Sequence, residues 1–237
     1  MLWVCALAAM VLLAALPATA AWYATQSAAG GSAIETATFE VEASAKTEKA
    51  SAPLTQSDLA DLTEKYGEDA VNAFAVRQMT YQTTVVTVTA DRENTASGYV
   101  IVTYDNKDYY SDFIAPGGRV TFTVPGGEVR GSGDSLAVSG EDASGKTYRN
   151  EFVIEAGWGR PEEGLTLEKL QKALDAQTAG LVALQKETYL KELAAQLEQA
   201  KRAAEEAARK AAEEAASQAG QNTGAATTEP TGVFTGS

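Results

Sequence analysis

Alternation of apolar and polar residues over positions 80–156 constrains the fold more than any other feature of the sequence. Val86 and Val88 alternate with threonines, as in a strand that buries one of its two faces. Glycine-rich turns such as Pro125-Gly126-Gly127 separate the runs. Short strands without intervening helices predict an antiparallel β-sandwich over residues 80–156, Ig-like in its layers. The chain has one cysteine, so it lacks the cysteine pair of true immunoglobulin domains.

A helical hairpin is expected over residues 54–79, ahead of the strands. Ser57 is a suitable N-cap for the first helix, and Gly67 is typical of its C-terminus. Glu68-Asp69 would begin a second short helix, which carries Val71.

The helical period returns after a linker at residues 157–165 and predicts a long helix over residues 166–218. Such a helix would be roughly 80 Å long at 1.5 Å per residue. Gly180 lies within it and costs about 1 kcal/mol relative to alanine, which leaves its continuity open. The residues expected to mediate association are Leu167, Leu170, Leu174, Leu181, Leu184, Leu190, Leu193 and Leu197. They could form a coiled coil with a second copy, pack on their own domain, or bind another protein.

The last part of this helix is rich in alanine and charge rather than in leucine. Two similar blocks, AAEEAARK and AAEEAASQ, follow each other from Ala203. Glutamates four residues before arginine or lysine stabilise a solvated helix by a few tenths of a kcal/mol per pair. We expect a spacer or a weakly packing surface here, followed by a disordered tail at residues 219–237.

The N-terminus carries an apolar leader. Residues 2–16 are apolar without exception, and Ala18-Thr19-Ala20 has the shape of a signal-peptidase site. A span continued to Tyr23 is also long enough for a transmembrane anchor. A basic flank is missing, since the first charged residue is Glu35, as it would be if the true start lay upstream. Residues 1–23 therefore predict an extracytoplasmic protein, either anchored in the membrane or released by cleavage near Ala20.

A flexible stalk is expected between the leader and the hairpin, over residues 24–53. Alanine, serine, threonine, glycine and scattered charges dominate this stretch. Such a composition buries too little apolar surface to order itself.

Composition excludes several kinds of chemistry. The net charge of −13 argues against nucleic-acid binding, which requires clustered lysine and arginine. The chain has no histidine, and its one cysteine is Cys5, so neither a Ser-His-Asp triad nor a His/Cys zinc site can form within it. We therefore expect no enzyme, no cofactor and no metal site.

One motif resembles a nucleotide-binding loop. Gly140 to Thr147 matches the pattern GxxxxGKS/T in full. That chemistry needs a helix to begin at the lysine, so that its N-terminus faces the phosphates. The residues that follow alternate as a strand does, so we interpret the segment as a β-hairpin loop.

A second group of residues could bind a glycan or a peptide. The aromatic residues of this candidate face are Tyr99, Tyr104, Tyr109, Tyr110 and Trp158. Core packing is the competing explanation for aromatic residues in strands.

Together these features predict a non-enzymatic surface or cell-envelope protein. It would act in structure or in protein–protein association through its β-sandwich and its long helix, with a protein partner or with a second copy. The alternative is a carbohydrate- or peptide-binding β-sandwich. A third hypothesis is an exported enzyme that uses only carboxylates.

Overall fold

The structure is a computed structural model and describes residues 37–222, with side chains to residue 217. The predicted leader, residues 24–36 of the predicted stalk and residues 223–237 of the predicted tail lie outside the described residues. The chain forms two compact units. Within the described residues, unit 1 comprises residues 37–53 and 78–188, and unit 2 comprises residues 54–77 and 189–222.

Unit 1 contains the strands and the first part of the C-terminal helix. Its elements are β1 (Val41–Pro53), β2 (Gln78–Ala90), β3 (Tyr99–Tyr104), β4 (Lys107–Tyr110), β5 (Arg119–Pro125), β6 (Glu128–Ser132), β7 (Ser135–Glu141), β8 (Thr147–Gly157) and β9 (Leu165–Thr166). Unit 2 contains α1 (Gln56–Tyr66) and α2 (Glu68–Phe74). The long helix α3 (Leu167–Asn222) contributes residues to both units.

The strands of unit 1 form two sheets. One is three-stranded with the order β1-β2-β5, and the other is six-stranded with the order β6-β7-β8-β3-β4-β9. Neighbouring strands are antiparallel, apart from the parallel pair β4–β9. The protein is therefore mixed α/β, mostly β-sheet, with a long C-terminal helix, as the sequence predicted at this coarser level.

One buried cluster draws side chains from both sheets. Val86 and Phe122 lie opposite each other in the smaller sheet, and Val102 and Ile154 do so in the larger one. Because side chains alternate along a strand, β8 buries Asn150, Phe152 and Ile154 and leaves the residues between them exposed. Strand β7 departs from this pattern, since Leu136 to Ser139 are all buried.

The connectivity of the larger sheet differs from that of immunoglobulin domains. In immunoglobulin domains the third strand pairs with the sixth strand, and the last strand pairs with the other edge of the sixth. In this protein β3 pairs with β8, and the earlier strands β7 and then β6 lie on the other side of β8.

The prediction of a flexible stalk is wrong for residues 41–53. They form β1, which pairs with β2 along its whole length, from Val41 opposite Ala90 to Pro53 opposite Gln78. The backbone supplies this ladder. Val41, Ala43 and Ala45 alternate with polar residues and pack on the core, but two of the three are alanines, which give only a weak sequence signal. Ala43, which is buried opposite Val88, provides a small contact with the core.

Unit 2 is built on α1 and α2, which lie where the helical hairpin was predicted. Thr55, rather than Ser57, is the N-cap of α1. Its side chain accepts from the backbone N–H of Asp58, whose carboxylate accepts from the N–H of Thr55. This reciprocal capping box satisfies two helix-end donors. The core of the unit contains Leu59 from α1 and Val71 from α2.

Helix α3 continues through Gly180 without a break. A Cβ atom at this position would meet nothing within 4 Å. The residue therefore serves no close approach of another element, and its helical geometry is maintained by its neighbours.

Candidate functional site: the exposed end of the C-terminal helix

Most of the leucines expected to mediate association pack within their own chain. Leu170 and Leu174 are fully buried in the core of unit 1, and Leu167 packs against that core. Leu193 and Leu197 are buried in the core of unit 2, where Leu190 packs against them. Leu184 is 37% exposed. The sequence left open whether these leucines contact a second copy, their own domain or another protein. In the structure most of them pack within their own chain.

Polar contacts attach α3 to the rest of unit 2. The hydroxyl of Tyr66 donates to a carboxylate oxygen of Glu198 at 3.0 Å, and the hydroxyl of Tyr189 accepts from the backbone N–H of Val76 at 2.8 Å. The hydrogen bond from Tyr66 lowers the pKa of Glu198, and the charges of Lys65 and Arg202 add to the effect. Packing and polar contacts in this unit therefore reach Glu198.

Between Lys201 and Ser217, α3 has no packed face. Every residue from Lys201 to Ser217 is exposed, and we call residues 201–217 the exposed helical segment. Ion pairs within the helix support it: Lys210 contacts Glu206 at 2.8 Å, and Arg209 contacts Glu213 at 3.9 Å. Alanine is the strongest helix former, so the segment can remain helical without a core.

Charge in the exposed helical segment is arranged in alternating pairs. Lys201-Arg202 is followed by Glu205-Glu206, Arg209-Lys210 and Glu213-Glu214. The two signs balance within the segment, whereas the whole chain carries −13. The sequence had identified helix-stabilising ion pairs here, but the complete exposure of this stretch becomes visible only in the structure.

The predicted aromatic face is divided between two sides of a sheet. Tyr109 is buried in the core of unit 1, and Tyr104 packs against the same core. The ring of Tyr104 stacks on Phe152 with centroids 5.1 Å apart, and its hydroxyl donates to Asn150 at 3.0 Å. Burial raises the pKa of Tyr104. Tyr109 serves packing, whereas Tyr104 is half-buried, packs on the core and also lines a shallow cleft.

Tyr99 and Tyr110 lie on the opposite face of the same sheet. Tyr99 and Ile101 alternate with the buried residues of β3, and Tyr110 lies opposite Ile101 in the neighbouring strand. Tyr99 meets Phe113 edge to face at 5.1 Å, and Phe113 is 61% exposed. Sequence reasoning missed Phe113, although a large aromatic residue in a polar turn is a signal for it. Trp158 instead contacts Phe39, with ring centroids 6.0 Å apart.

A small cleft of about 240 Å³ opens in unit 1. Tyr81, Gln82, Glu141 and Gln185 are among its lining residues. The amide of Gln185 donates to the backbone carbonyl of Thr80 at 3.2 Å, so this group already has a partner. The volume lies below the usual range of small-molecule pockets.

The segment that matches a nucleotide-binding loop is the β7–β8 hairpin, in agreement with the interpretation from sequence. Asp142 organises the turn, since one carboxylate oxygen accepts from the N–H and hydroxyl of Ser144 and from the N–H of Lys146, at 2.6–3.0 Å. These contacts, that of the Ser144 hydroxyl first, lower the pKa of Asp142. Thr147 then begins a strand, so no helix N-terminus faces the loop.

Between residues 37 and 222, no three histidine, cysteine, aspartate or glutamate side chains gather as metal ligands would. None of the described helices combines the length and the apolar character that crossing a membrane requires.

No protein family, curated protein or solved structure matches this chain.

Proposed function

We propose that this chain is a non-enzymatic, exported protein of the cell surface or envelope that acts in structure or in protein–protein association. The observation that carries the proposal is the exposed helical segment. Upstream, α3 buries leucines in each unit in turn, yet it continues as a fully exposed helix over residues 201–217.

A preformed exposed helix suits association. Helix nucleation is unfavourable, but the exposed segment only has to extend a helix that the packed part of α3 has already nucleated. A partner would then meet a surface that is already ordered, so less conformational entropy is lost on binding. Alternating charges would give such a contact selectivity for its partner and its register.

In this proposal the β-sheets are a scaffold. An Ig-like β-sandwich in its layers, though not in its strand order, is supported by the buried cluster that draws on both sheets. Such a domain needs no chemistry of its own to present a helix.

Export belongs to the proposal as well. It is supported by the uninterrupted apolar run over residues 2–16 and leaves two fates for the leader, retention as an anchor or cleavage. N-terminal sequencing of the protein recovered from membranes and from medium separates them. A start at Ala21 in the medium indicates cleavage, and an intact N-terminus in membranes indicates an anchor. An intact chain found only in the cytoplasm would contradict export.

Site-specific photo-crosslinking in the host tests the association. A photoreactive amino acid replaces Ala208 in the exposed helical segment, and a matched control replaces Glu163, which is exposed in the linker before α3. We expect one recurrent protein adduct from position 208 and none from position 163. Equal, diffuse labelling from both positions would contradict the proposal.

A second candidate function, binding of a glycan or peptide, is favoured by the outward-facing pair Tyr99 and Phe113. Aromatic rings on an exposed sheet face stack on sugars and on peptide side chains. Binding on a glycan or peptide array that is lost in Tyr99→Ala and Phe113→Ala would support it. Tyr110→Ala is the third informative variant, whereas Tyr109→Ala would disturb the core.

A further inference from the structure

We propose that strand β1 pairs antiparallel with β1 of a second copy of this chain, with a two-fold axis at Thr47. The three-stranded sheets of the two copies would then form one continuous sheet across the contact. This surface is separate from the exposed helical segment, so it adds a second copy of the chain to the proposed associations and does not depend on the helix.

Strand β1 is a long edge strand. Between residues 37 and 222 it has one neighbour in its sheet, β2, and it pairs with β2 in an unbroken register from Val41 to Pro53. Proteins usually shorten, bend or cover such edges, because the unpaired N–H and C=O groups pair readily with another strand. The opposite edge of the same sheet is covered at Thr123, whose N–H and carbonyl both bond the side-chain amide of Gln171.

The hydrogen bonds of β2 show which backbone groups of β1 point outward. Ala90 exchanges both of its backbone hydrogen bonds with Gly117-Gly118, at 2.8 and 3.0 Å, so its groups are turned away from β1. Val41 lies opposite Ala90, and such a pair in an antiparallel ladder turns its groups outward on both strands. The carbonyl of Gln82 is also turned to the β5 side, which gives the same phase at Lys49, opposite it. The outward-facing residues are therefore Val41, Ala43, Ala45, Thr47, Lys49 and Ser51.

The edge itself is open. Within the described residues, no hydrogen bond from another element reaches the outward backbone groups of β1. Thr47, at the proposed axis, bonds through its side chain on the inner side of the sheet, where its hydroxyl donates to the carbonyl of Gly127 at 2.9 Å. Its backbone N–H and carbonyl remain available. A second strand would therefore complete the hydrogen bonding of this edge.

Charges along β1 are self-complementary about Thr47. A two-fold axis there places Lys46 of each copy opposite Glu48 of the other. Directly opposite residues of antiparallel strands lie on the same face of the sheet, and both of these side chains are exposed on β1. Within one copy they already form an ion pair at 2.8 Å, but an ammonium has three donors and can serve two carboxylates.

Other registers are less favourable. The phase of the hydrogen bonds allows the axis to move along β1 only in whole residues, because outward-facing residues must meet outward-facing residues. A move of one residue in either direction would set Lys46 against Lys46 or Glu48 against Glu48. Like charges directly opposite each other destabilise a strand pair. The axis at Thr47 also pairs β1 along its whole length.

A second copy fits this edge better than an unrelated strand. A two-fold interface requires one surface to be complementary to itself, and the charges of β1 fulfil this requirement. The strand carries two glutamates and two lysines, so it is neutral although the whole chain carries −13. Two copies can therefore approach here at a small electrostatic cost. The assembly closes at two copies, because pairing uses the β1 edge of each.

Sedimentation equilibrium of the full-length protein isolated from its host, at several concentrations and at low salt, tests the proposal through charge exchange. Lys46→Glu sets glutamate against glutamate at two places, and Glu48→Lys sets lysine against lysine there. Mixed with each other, the two variants restore opposite charges at both places. The matched control combines both substitutions in one chain and again becomes complementary to itself.

We expect the wild type and the double variant to dimerise, and each single variant to dimerise about tenfold more weakly. An equimolar mixture of the single variants should regain the dimer. Circular dichroism and urea denaturation verify that each variant remains folded. A single variant that associates as the wild type does, or a mixture that stays monomeric, would overturn the proposal.

A proline substitution tests the backbone contact without relying on charge. Lys49→Pro removes an outward-facing N–H, which would donate to Ala45 of the other copy, and proline is tolerated on an edge strand where the N–H faces away from the sheet. Lys49→Ala is the matched control, since it removes the same charge and keeps the N–H. We expect the proline variant to dimerise at least about fivefold more weakly than the alanine variant. Equal association of the two would contradict strand pairing.

A wild type that is monomeric at every concentration would also overturn self-pairing. Lys46 and Lys49 would then be guards that keep an edge strand from pairing, as lysines do in other sheets. The association proposed for the exposed helical segment would be decided separately, by the crosslink from position 208.

Discussion

The side-chain amide of Gln171 pairs with the backbone of Thr123 as a neighbouring strand would. Its Oε1 accepts from the N–H of Thr123 at 2.7 Å, and its Nε2 donates to the carbonyl of Thr123 at 3.3 Å. Thr123 lies on β5, an edge strand of the three-stranded sheet. A glutamine of α3 therefore occupies backbone groups that an edge strand would otherwise offer to another chain.

Removing this amide should destabilise unit 1. Gln171→Ala leaves the partly buried N–H and carbonyl of Thr123 without their partner, and we expect a loss of about 1–2 kcal/mol in the free energy of unfolding. Urea denaturation measures it. Gln196→Ala, at an exposed position of the same helix, is the matched control and should change the stability little. Equal effects of the two substitutions would contradict the role of Gln171.

The leucines of α3 should differ sharply in their contribution to stability. Leu174 is fully buried and Leu184 is 37% exposed. We expect Leu174→Ala to cost about 2–5 kcal/mol, because it opens a cavity in the core, and Leu184→Ala to cost less than about 1 kcal/mol. Thermal and urea unfolding of both variants provide the measurement. Similar small losses would indicate that Leu174 is not packed in this core.

Gly180 should be replaceable with a gain in stability. It lies exposed within α3, and a Cβ atom there would contact nothing within 4 Å. Gly180→Ala should stabilise the helix by up to about 1 kcal/mol, because alanine loses less backbone entropy on folding. A rise in the melting temperature verifies this. A fall would show that the glycine provides a bend that the helix needs.

The contact between Tyr66 and Glu198 should make unit 2 sensitive to acid. Since folding lowers the pKa of Glu198, this group stabilises the folded state above its unfolded pKa, and the contribution is lost as the pH falls through the lower, folded pKa. In Tyr66→Phe the largest cause disappears, so the pKa of Glu198 should move back towards its ordinary value. Carboxyl NMR titration follows the shift.

Tyr189→Phe is the control for this titration, because it alters another hydroxyl of the same unit and leaves the bond from Tyr66 intact. The pKa of Glu198 should not change in the control. An unchanged pKa in Tyr66→Phe itself would mean that the hydrogen bond is not formed in solution.

Sequence alternation predicted the strands of the core well, because residues two apart share a face. Val86 and Val88 are both buried, as their spacing implies. The same reasoning missed β1, because the alternation of Val41, Ala43 and Ala45 with polar residues is short and rests mostly on alanine. Its order comes from backbone pairing with β2, which composition does not reveal.

The spacing of the aromatic residues along the strand is enough to separate them into two groups on opposite faces of the sheet. Tyr99 and Tyr104 are an odd number of residues apart on one strand, so they face opposite sides of the sheet. The two-residue turn at Asp105-Asn106, where both residues have positive φ, then fixes the register that buries Tyr109.

Leucine spacing on α3 was less informative about function. A repeat of leucines indicates a buried helix face, but it does not distinguish a second copy from the chain's own core. Tertiary packing assigns Leu170 and Leu193 to two different cores of the same chain. The surface that we propose for association is the charged alanine segment, which hydrophobic periodicity does not highlight.

Hydrogen–deuterium exchange tests most directly whether residues 201–217 form an association surface. The protein recovered from its host under non-dissociating conditions is compared with the same material after high dilution. We expect amides of the exposed helical segment to exchange slowly in the assembled state and faster by at least about tenfold after dilution, because a bound partner suppresses the local openings through which an exposed helix exchanges. Amides of Val86 and Val102 in the sheets should exchange slowly in both. Equal, fast exchange of residues 201–217 in both states would contradict the account.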